Sequence, residues 1–544
     1  MPSPSPILAV APHRALGQRG QTAATLTFLV VLFLFATANA VFWDHARRIF
    51  ADSPRALATL GAAIFLLTYA LVMLFSQKWL VRPALILLLL ISAASGWFQN
   101  RLGIVIDREM IQNVFLTTPT EAGHLFTWPF LRHMAAFGLL PAVIVAFVPI
   151  RPERFLGKTL RNGGLIVLSF ALCIGLLLSD YARFAAVFRE QKELMSSFQP
   201  GAPIAGTVRY AKMMLRSANV VAAPYGTDAR SIAGAKPRLT VFMLGETARV
   251  QNWSLAGYGR DTNPELARRD ITFFPDVTAC GTSTAVSVPC IFSGLGQEGY
   301  SYTKAQAREN LLDVFRHAGQ DVLWWDLNTG SQGVARRTGE DHMTRQPDMS
   351  RCPTGECTDE LMVERLATLL PTLTRDTVVI MHMIGSHGPS YYLRYPPEAA
   401  RFSPTCQTGE FAKCTPEEIV NTYDNTIAYT DTVLASMIDL LAAQTGVEAS
   451  MIYASDHGES LGEGGLWLHG APAFMAPDTQ TKVPMLLWLS DDSKARLTGV
   501  AGCLAQKATQ PQSHDVIFPT LLSLAGVETA VHAPDLDLTR CVAG

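Results

Sequence analysis

Charged side chains are scarce in this sequence. Asp, Glu, Lys and Arg make up 17% of its 544 residues, against about a quarter in an ordinary soluble domain. Nor does either sign prevail: 44 basic and 46 acidic residues leave a formal net charge of −2. A chain without an overall basic field has no long-range attraction for a phosphate backbone, which argues against a nucleic-acid partner. Cysteine is absent before Cys173, and the other eight cysteines all follow residue 279. Zinc-finger spacing is nearly absent too: only Cys352 and Cys357, a C-x4-C pair, have it.

What is plentiful is apolar sequence, and it is unevenly placed. Mean hydropathy is +0.20, with the excess concentrated in the first 180 residues. Five apolar runs cover Ala23–Phe42, Leu57–Phe75, Ala84–Phe98, Met134–Ile150 and Leu165–Leu178. Extended by their flanks, each approaches the ~20 residues that cross a bilayer. Trp43, Trp79, Trp97 and Trp128 sit at or near the ends of these runs, where aromatic rings favour the membrane interface. Arg14 and Arg19 precede the first run; Lys78 and Arg82 follow the second; Arg151, Arg154, Lys158 and Arg161 follow the fourth. Cationic loops stay in the cytoplasm, so these alternating segments predict an N-terminus inside, although Arg47, Arg48 and Arg55 in the first outside loop oppose the bias. Five spans then place everything after Asp180 across the membrane. Ala38-Asn39-Ala40 also fits a small-residue cleavage site; cutting there leaves four spans and the same destination for the C-terminal part.

The late cysteines agree with an exported location, because an even set in an oxidising compartment reads as disulfides. Close spacing suggests Cys280 with Cys290, Cys352 with Cys357 and Cys406 with Cys414, leaving Cys503 and Cys541 as a fourth pair; Cys173 is a lone buried thiol. The expected organisation is a cytoplasmic arm (1–20), a five-helix transmembrane domain (21–180), bridging helices and linker (181–235) and an exported α/β domain (236–544).

Within the last segment, short β-rich runs end on chemically active residues. LTVFMLGE closes on Glu246, TVVIMHMIGSH on His387, and ASMIYASDHG on Asp456 and His457. Helical stretches separate them, the pattern of a mostly parallel sheet between helices, in which ligands bind beyond the carboxyl ends of the strands. Glu246, Asp456 and His457 are oxygen and imidazole ligands suited to zinc, less so to manganese or magnesium. A catalytic metal site keeps one position for a reactive group. The stretch ACGTSTAVSVPC (279–290) offers Thr282, Ser283, Thr284 and Ser287. Composition does not choose among them; Thr284 is one candidate nucleophile, which a metal could activate.

The stretches GETAR (245–249), CGTSTAVSVPC (280–290), GSHGPSYYLRYP (385–396), SDHGESLGE (455–463) and LHG (468–470) resemble the phosphoethanolamine transferases. These are inner-membrane enzymes of Gram-negative bacteria, and they include the polymyxin-resistance transferases that modify lipid A. The resemblance runs over nearly the whole chain and implies an α/β/α sandwich of alkaline phosphatase and sulfatase type. It implies that Glu246, Thr284, Asp456 and His457 hold a catalytic zinc, with Thr284 as the nucleophile. It implies that His387 and His469 face the phosphoryl group or a second zinc. MIQNVFLTTPTEAG (110–123) resembles a family segment that would carry Asn113, Thr117 and Glu121 toward the ethanolamine headgroup. DLNTGSQGVA (326–335) departs from the family pattern: Thr329 stands where serine is common, Gln332 where some members have lysine, and Ser331 and Ala335 where a further cysteine pair is often found. Thr329 and Gln332 remain expected substrate contacts.

The implied reaction moves phosphoethanolamine from phosphatidylethanolamine to a lipopolysaccharide acceptor, in first place a lipid A phosphate. It proceeds through a zinc-activated threonine and a phosphothreonine intermediate, in a membrane-embedded monomer. The rivals are a membrane-anchored periplasmic phosphodiesterase or sulfatase on the same scaffold, or transfer to Kdo or heptose.

Overall fold

The computed structural model describes residues 20–77, 79–343, 352 and 357–541. Arg14, Arg19 and Lys78, three of the cations that set the expected orientation, lie outside them, as does nearly all of the N-terminal arm. The chain separates into two compact units, one of residues up to Asn100 with Trp128–Ala202, the other of Arg101–Thr127 with Pro203 onward.

The first unit is helical. Pro54–Met73, Val81–Leu102, Trp128–Phe147 and Phe155–Leu178 are each long and apolar enough to cross a membrane. The first apolar run instead forms two helices, Ala23–Thr37 and Ala40–Ile49, bent by 70°, so the candidate spans among the described residues number four, or five if the bent pair counts as one. The bend falls on the Ala38-Asn39-Ala40 stretch. Asn39 is buried there, its Nδ2 donating to the Leu34 and Gln199 carbonyls at 3.0 Å each and its Oδ1 accepting from the Gln199 amide at 2.8 Å. Those bonds satisfy backbone groups that a helix break would otherwise strand in an apolar setting. Phe155–Leu178 starts ten residues before the apolar run that announced it, because its first turns carry Lys158 and Asn162, both buried; the Asn162 amide donates to Ser76 Oγ at 2.7 Å.

The second unit is built on an eight-stranded sheet. Its strands are β1 (Arg238–Gly245), β2 (Thr272–Thr278), β3 (Asp321–Asp326), β4 (Asp341–His342), β5 (Thr377–His382), β6 (Glu448–Ser455), β7 (Lys482–Leu489) and β8 (Gln512–Ser513), in the order β8-β2-β7-β6-β1-β5-β3-β4. The sheet is mixed: β7 runs antiparallel to both β2 and β6, and the remaining pairings are parallel. Every residue of β1 and β5 is buried, as expected of central strands covered on both faces. Phe242, Ile380 and Ile452 of the sheet share one apolar core with Phe315, Ile517 and Leu521 of two helices.

Parallel register fixes where the chemistry lies. Gly245 pairs with Ser455, Leu244 with His382, and His382 with Asp326. The carboxyl ends of β6, β1, β5 and β3 therefore form one edge. All four expected disulfides are present, Cys280–Cys290, Cys352–Cys357, Cys406–Cys414 and Cys503–Cys541, and Cys173 is a buried free thiol.

Candidate active site

Glu246 is the first residue after β1, and Asp456 and His457 are the first two after β6. The paired strand ends bring them together: ligand atoms of the three lie within 4.8 Å of one another, and all three side chains are fully buried. His457 Nε2 is 3.3 Å from Glu246 Oε1 and 3.4 Å from Asp456 Oδ2. The chain turns tightly after Glu246. Thr247 has φ of +57°, a left-handed conformation unusual for a β-branched residue and of a kind that concentrates at functional sites. Its amide donates to Asp456 Oδ1 at 3.2 Å, and its hydroxyl donates to Glu246. Gly385 approaches so closely that a Cβ there would lie 2.6 Å from the Glu246 carbonyl oxygen.

Among the four hydroxyls of residues 279–290, position separates their roles. Thr282 Oγ1 donates to the Ala471 carbonyl at 2.7 Å, and Ser287 Oγ to the Asp456 carbonyl at 2.6 Å. Ser283 caps the helix Thr284–Ser293 and its buried hydroxyl meets no partner among the described residues. Thr284 Oγ1 lies 3.2 Å from Glu246 Oε2 and 3.3 Å from His457 Nε2. It is the hydroxyl that joins the acidic cluster. It also stands on the first turn of a ten-residue helix, whose free amides and dipole favour an anion. Cys280 and Cys290 tie the entry of this helix to its seventh residue.

Electrostatics explain what the cluster lacks. Burial and the Glu246 charge push the Asp456 carboxyl up to about 6. Burial opposes the charged form of Glu246, but the neighbouring His382 and His457 imidazoles overcome it and hold that group well below the usual carboxylate range. Burial likewise disfavours a charged His457, yet the Asp456 and Glu246 carboxylates raise its pKa to about 10. Two buried carboxylates thus draw on imidazolium charge for compensation. Asp456 Oδ2 is buried without a hydrogen-bond donor, which is costly for a charged oxygen. Oxygen and imidazole donors converging on one point, with one carboxylate oxygen unsatisfied, fit a divalent cation of the zinc type.

A row of imidazoles extends from this point. The His457 and His469 ring centroids are 4.4 Å apart, and those of His469 and His387 are 5.7 Å apart. Several groups around them were not singled out in the sequence. Buried Glu459 pairs with His469 Nδ1 at 2.9 Å and accepts from Tyr391 Oη at 2.6 Å. Asn328 Nδ2 donates to Glu246 Oε2 at 2.7 Å. His382 ends β5 with Nδ1 2.9 Å from Asp326 Oδ2 and Nε2 3.7 Å from Glu246 Oε2. Burial works against its charge, but Asp326 and Glu246 raise its pKa to about 10. The available signals were the glutamate in SDHGES and the asparagine in DLNTG.

The expected headgroup residues come from two segments of the second unit, the helix after residue 107 and the loop after β3. Arg108–Leu116 forms a helix that packs in the second unit, where buried Gln112 reaches the Ala285 carbonyl at 3.4 Å. Asn113 Nδ2 would lie 3.6 Å from a Cβ built on Gly470, beside His469. Thr117 Oγ1 donates to the Asn113 carbonyl at 2.8 Å, closing the end of the helix. The Glu121 side chain lies outside the described residues. Gln332, with φ of +54°, turns its Nε2 onto Thr329 Oγ1 at 2.9 Å, so these two bond to each other.

Two family models match the chain: the sulfatase model over residues 238–527 and the phosphoethanolamine transferase EptA/EptB model over residues 64–215. The chain is 42% identical over 476 residues to the phosphoethanolamine transferase EptA of Escherichia coli K12, covering 86% of this chain and 87% of the relative. It is 35% identical to the phosphatidylethanolamine transferase Mcr-1 of Escherichia coli, covering 94% and 96%. Among solved structures, the integral membrane lipooligosaccharide phosphoethanolamine transferase A from Neisseria meningitidis superposes with a TM-score of 0.90 at 32% identity, covering 95% of this chain and 98% of that one.

Proposed function

This chain belongs to the phosphoethanolamine transferase family, and from that premise we propose that it transfers phosphoethanolamine from phosphatidylethanolamine to a lipid A phosphate through Thr284. It is a multi-pass inner-membrane enzyme with its sulfatase-like domain in the periplasm. The observation that carries the mechanism is the position of Thr284 Oγ1, 3.2 Å from Glu246 and 3.3 Å from His457, on the first turn of a helix.

Glu246, Asp456 and His457, with Thr284, would hold zinc, which when bound supplies positive charge that favours the threonine alkoxide and offsets charge on the phosphoryl oxygens. In the first step Thr284 Oγ1 attacks the donor phosphorus. An Oγ1–P bond forms, the P–O bond to diacylglycerol breaks, and the leaving oxygen takes a proton. Thr284 gives one up, so the step is proton-neutral overall. The exchange falls to His387 and His469: Glu459 engages His469 Nδ1, which leaves Nε2 for the reacting groups. In the second step an oxygen of the acceptor's monoprotonated phosphate attacks the phosphothreonine, the P–Oγ1 bond breaks, and Thr284 Oγ1 takes up the proton that the acceptor gives up through the same imidazoles. The amides at the start of the helix Thr284–Ser293 favour the phosphoryl anion in both steps. Asn113, whose Nδ2 lies beside Gly470, would meet the ethanolamine end, with Thr117, Glu121, Thr329 and Gln332 completing the headgroup pocket.

The test is mass spectrometry of lipid A from cells expressing the wild-type chain or Thr284→Ala. Phosphoethanolamine-bearing lipid A is expected only with the wild type. Modified Kdo or heptose with unmodified lipid A would reassign the acceptor, and hydrolysis of phosphatidylethanolamine with no transferred product would make the enzyme a phosphodiesterase.

A further inference from the structure

A cavity of about 440 Å³ adjoins the first turn of the helix that carries Thr284. Ala285 and Val286, the two residues after Thr284, form part of its wall. The helix Gly201–Ser217 contributes Arg209, Lys212 and Arg216 to the same lining, at spacings of three and four that set all three on one helical face. A fourth cation, Arg108, also lines the cavity, but it is paired with Glu109 at 2.6 Å. Arg209, Lys212 and Arg216 are exposed and make no ion pair among the described residues. The cavity also holds the Tyr300 hydroxyl, a buried atom with no hydrogen-bond partner among the described residues.

Three like charges on one helical face repel one another, and an unpartnered buried hydroxyl is unfavourable. A small, multiply charged oxyanion relieves both. The donor does not suit the cavity: its phosphorus must reach Thr284 Oγ1, and its ammonium would be repelled by the cations. The acceptor does. A glycolipid with a phosphomonoester at each end of a disaccharide has one phosphate to react and one to spare. We propose that the cavity binds the second, non-reacting phosphomonoester of the acceptor through Arg209, Lys212, Arg216 and Tyr300, and so favours bisphosphorylated over monophosphorylated acceptors. This rests on the reading that lipid A is the acceptor.

Full-length enzyme in nanodiscs of neutral phospholipid separates the possibilities. With wild type, KM should be about 10-fold lower for bisphosphorylated than for monophosphorylated lipid A, as the loss of a charge-assisted phosphate site implies. The Arg209→Ala, Lys212→Ala, Arg216→Ala triple variant should raise KM for the bisphosphorylated acceptor to the monophosphorylated value. It should leave diacylglycerol release from phosphatidylethanolamine without acceptor unchanged. Lys212→Arg, which keeps the charge, should behave as wild type. Equal wild-type KM values for the two acceptors would overturn the inference without need of any variant. So would a triple variant that loses donor and acceptor turnover together and whose defect tracks added phosphatidylglycerol, because the cations would then bind bulk anionic lipid. If wild type modifies neither lipid A yet still releases diacylglycerol, the proposed acceptor is wrong and the inference falls with it; discrimination failing while transfer persists condemns the cavity alone.

Discussion

Glu459 stands between His469 and Tyr391, with Oε2 2.9 Å from His469 Nδ1 and Oε1 accepting from Tyr391 Oη at 2.6 Å. A carboxylate on Nδ1 fixes which ring nitrogen is left for chemistry and stabilises the protonated imidazole. Tyr391 holds the carboxylate in turn, and the Gly388 backbone is so near that a Cβ on it would lie 2.8 Å from Glu459 Oε1.

Glu459→Gln should therefore lower kcat by about 10²-fold or more, within the range general acid–base catalysis contributes, with little change in KM for phosphatidylethanolamine. Tyr391→Phe should be milder. The informative measurement is the split between kcat and stability: kcat should fall while KM and the melting temperature stay near wild type. A rate loss that is matched by a loss of melting temperature would make Glu459 a purely structural residue.

His514 offers a stability prediction. Burial pushes its pKa down to about 3, and its Nδ1 accepts from the Cys280 amide at 3.1 Å. In the unfolded chain the ring titrates near 6.5. The unfolded state thus binds the proton first as pH falls, so the neutral ring's contribution is whole above pH 6.5 and declines toward pH 3, by at most about 1.4 kcal/mol per unit. The melting temperature of wild type should drop more steeply between pH 6 and pH 4 than that of His514→Gln. Parallel curves in differential scanning fluorimetry would refute the assignment.

Metal removal should expose the cluster. Asp456→Asn removes one of the convergent oxygens and should lower bound zinc, read by mass spectrometry of the intact enzyme, together with activity. Chelation should inactivate wild type and zinc should restore it. An extensively chelated enzyme with full turnover and no bound metal would rule out a metal role for Glu246, Asp456 and His457.

How much of this was legible in the sequence depended on whether the information was local. Glu246, Asp456 and His457 could be seen because each ends an apolar β-rich run, and such runs have one exposed end in a parallel sheet. His382 was hidden inside the same kind of signal. The run TVVIMHMIGSH stays apolar through Met383 and Ile384, but the ladder ends at His382, so the imidazole nearest Glu246 from that strand looked like strand interior. The reversed direction of β7 could not be read from KVPMLLWL, because strand direction follows from connections rather than from residue type. The bend at Asn39 depends on Gln199, 160 residues away, and no local pattern announces it; the same small residues read equally well as a cleavage site. Gln332 was legible as a departure from the family pattern, but not its bond to Thr329.

The last prediction concerns the choice among four hydroxyls. Thr282 and Ser287 spend theirs on the Ala471 and Asp456 carbonyls, and Ser283 sits at the cap with its oxygen buried. Thr284 alone faces both Glu246 and His457. Thr284→Ala should abolish transfer while the four disulfides still form. Thr284→Ser should retain part of the activity, since it keeps the oxygen but loses the methyl group that restricts χ1. Ser283→Ala should stay close to wild type in rate. Thr282→Ala and Ser287→Ala should act mainly through stability, at about 1–3 kcal/mol for each buried carbonyl left without a donor. Incubation with phosphatidylethanolamine in the absence of acceptor should leave a phosphoethanolamine adduct on the peptide containing residues 280–290, and fragmentation should place it on Thr284. An adduct on Thr282, Ser283 or Ser287, or undiminished transfer by Thr284→Ala, would mean that the oxygen nearest the cluster is not the one that reacts.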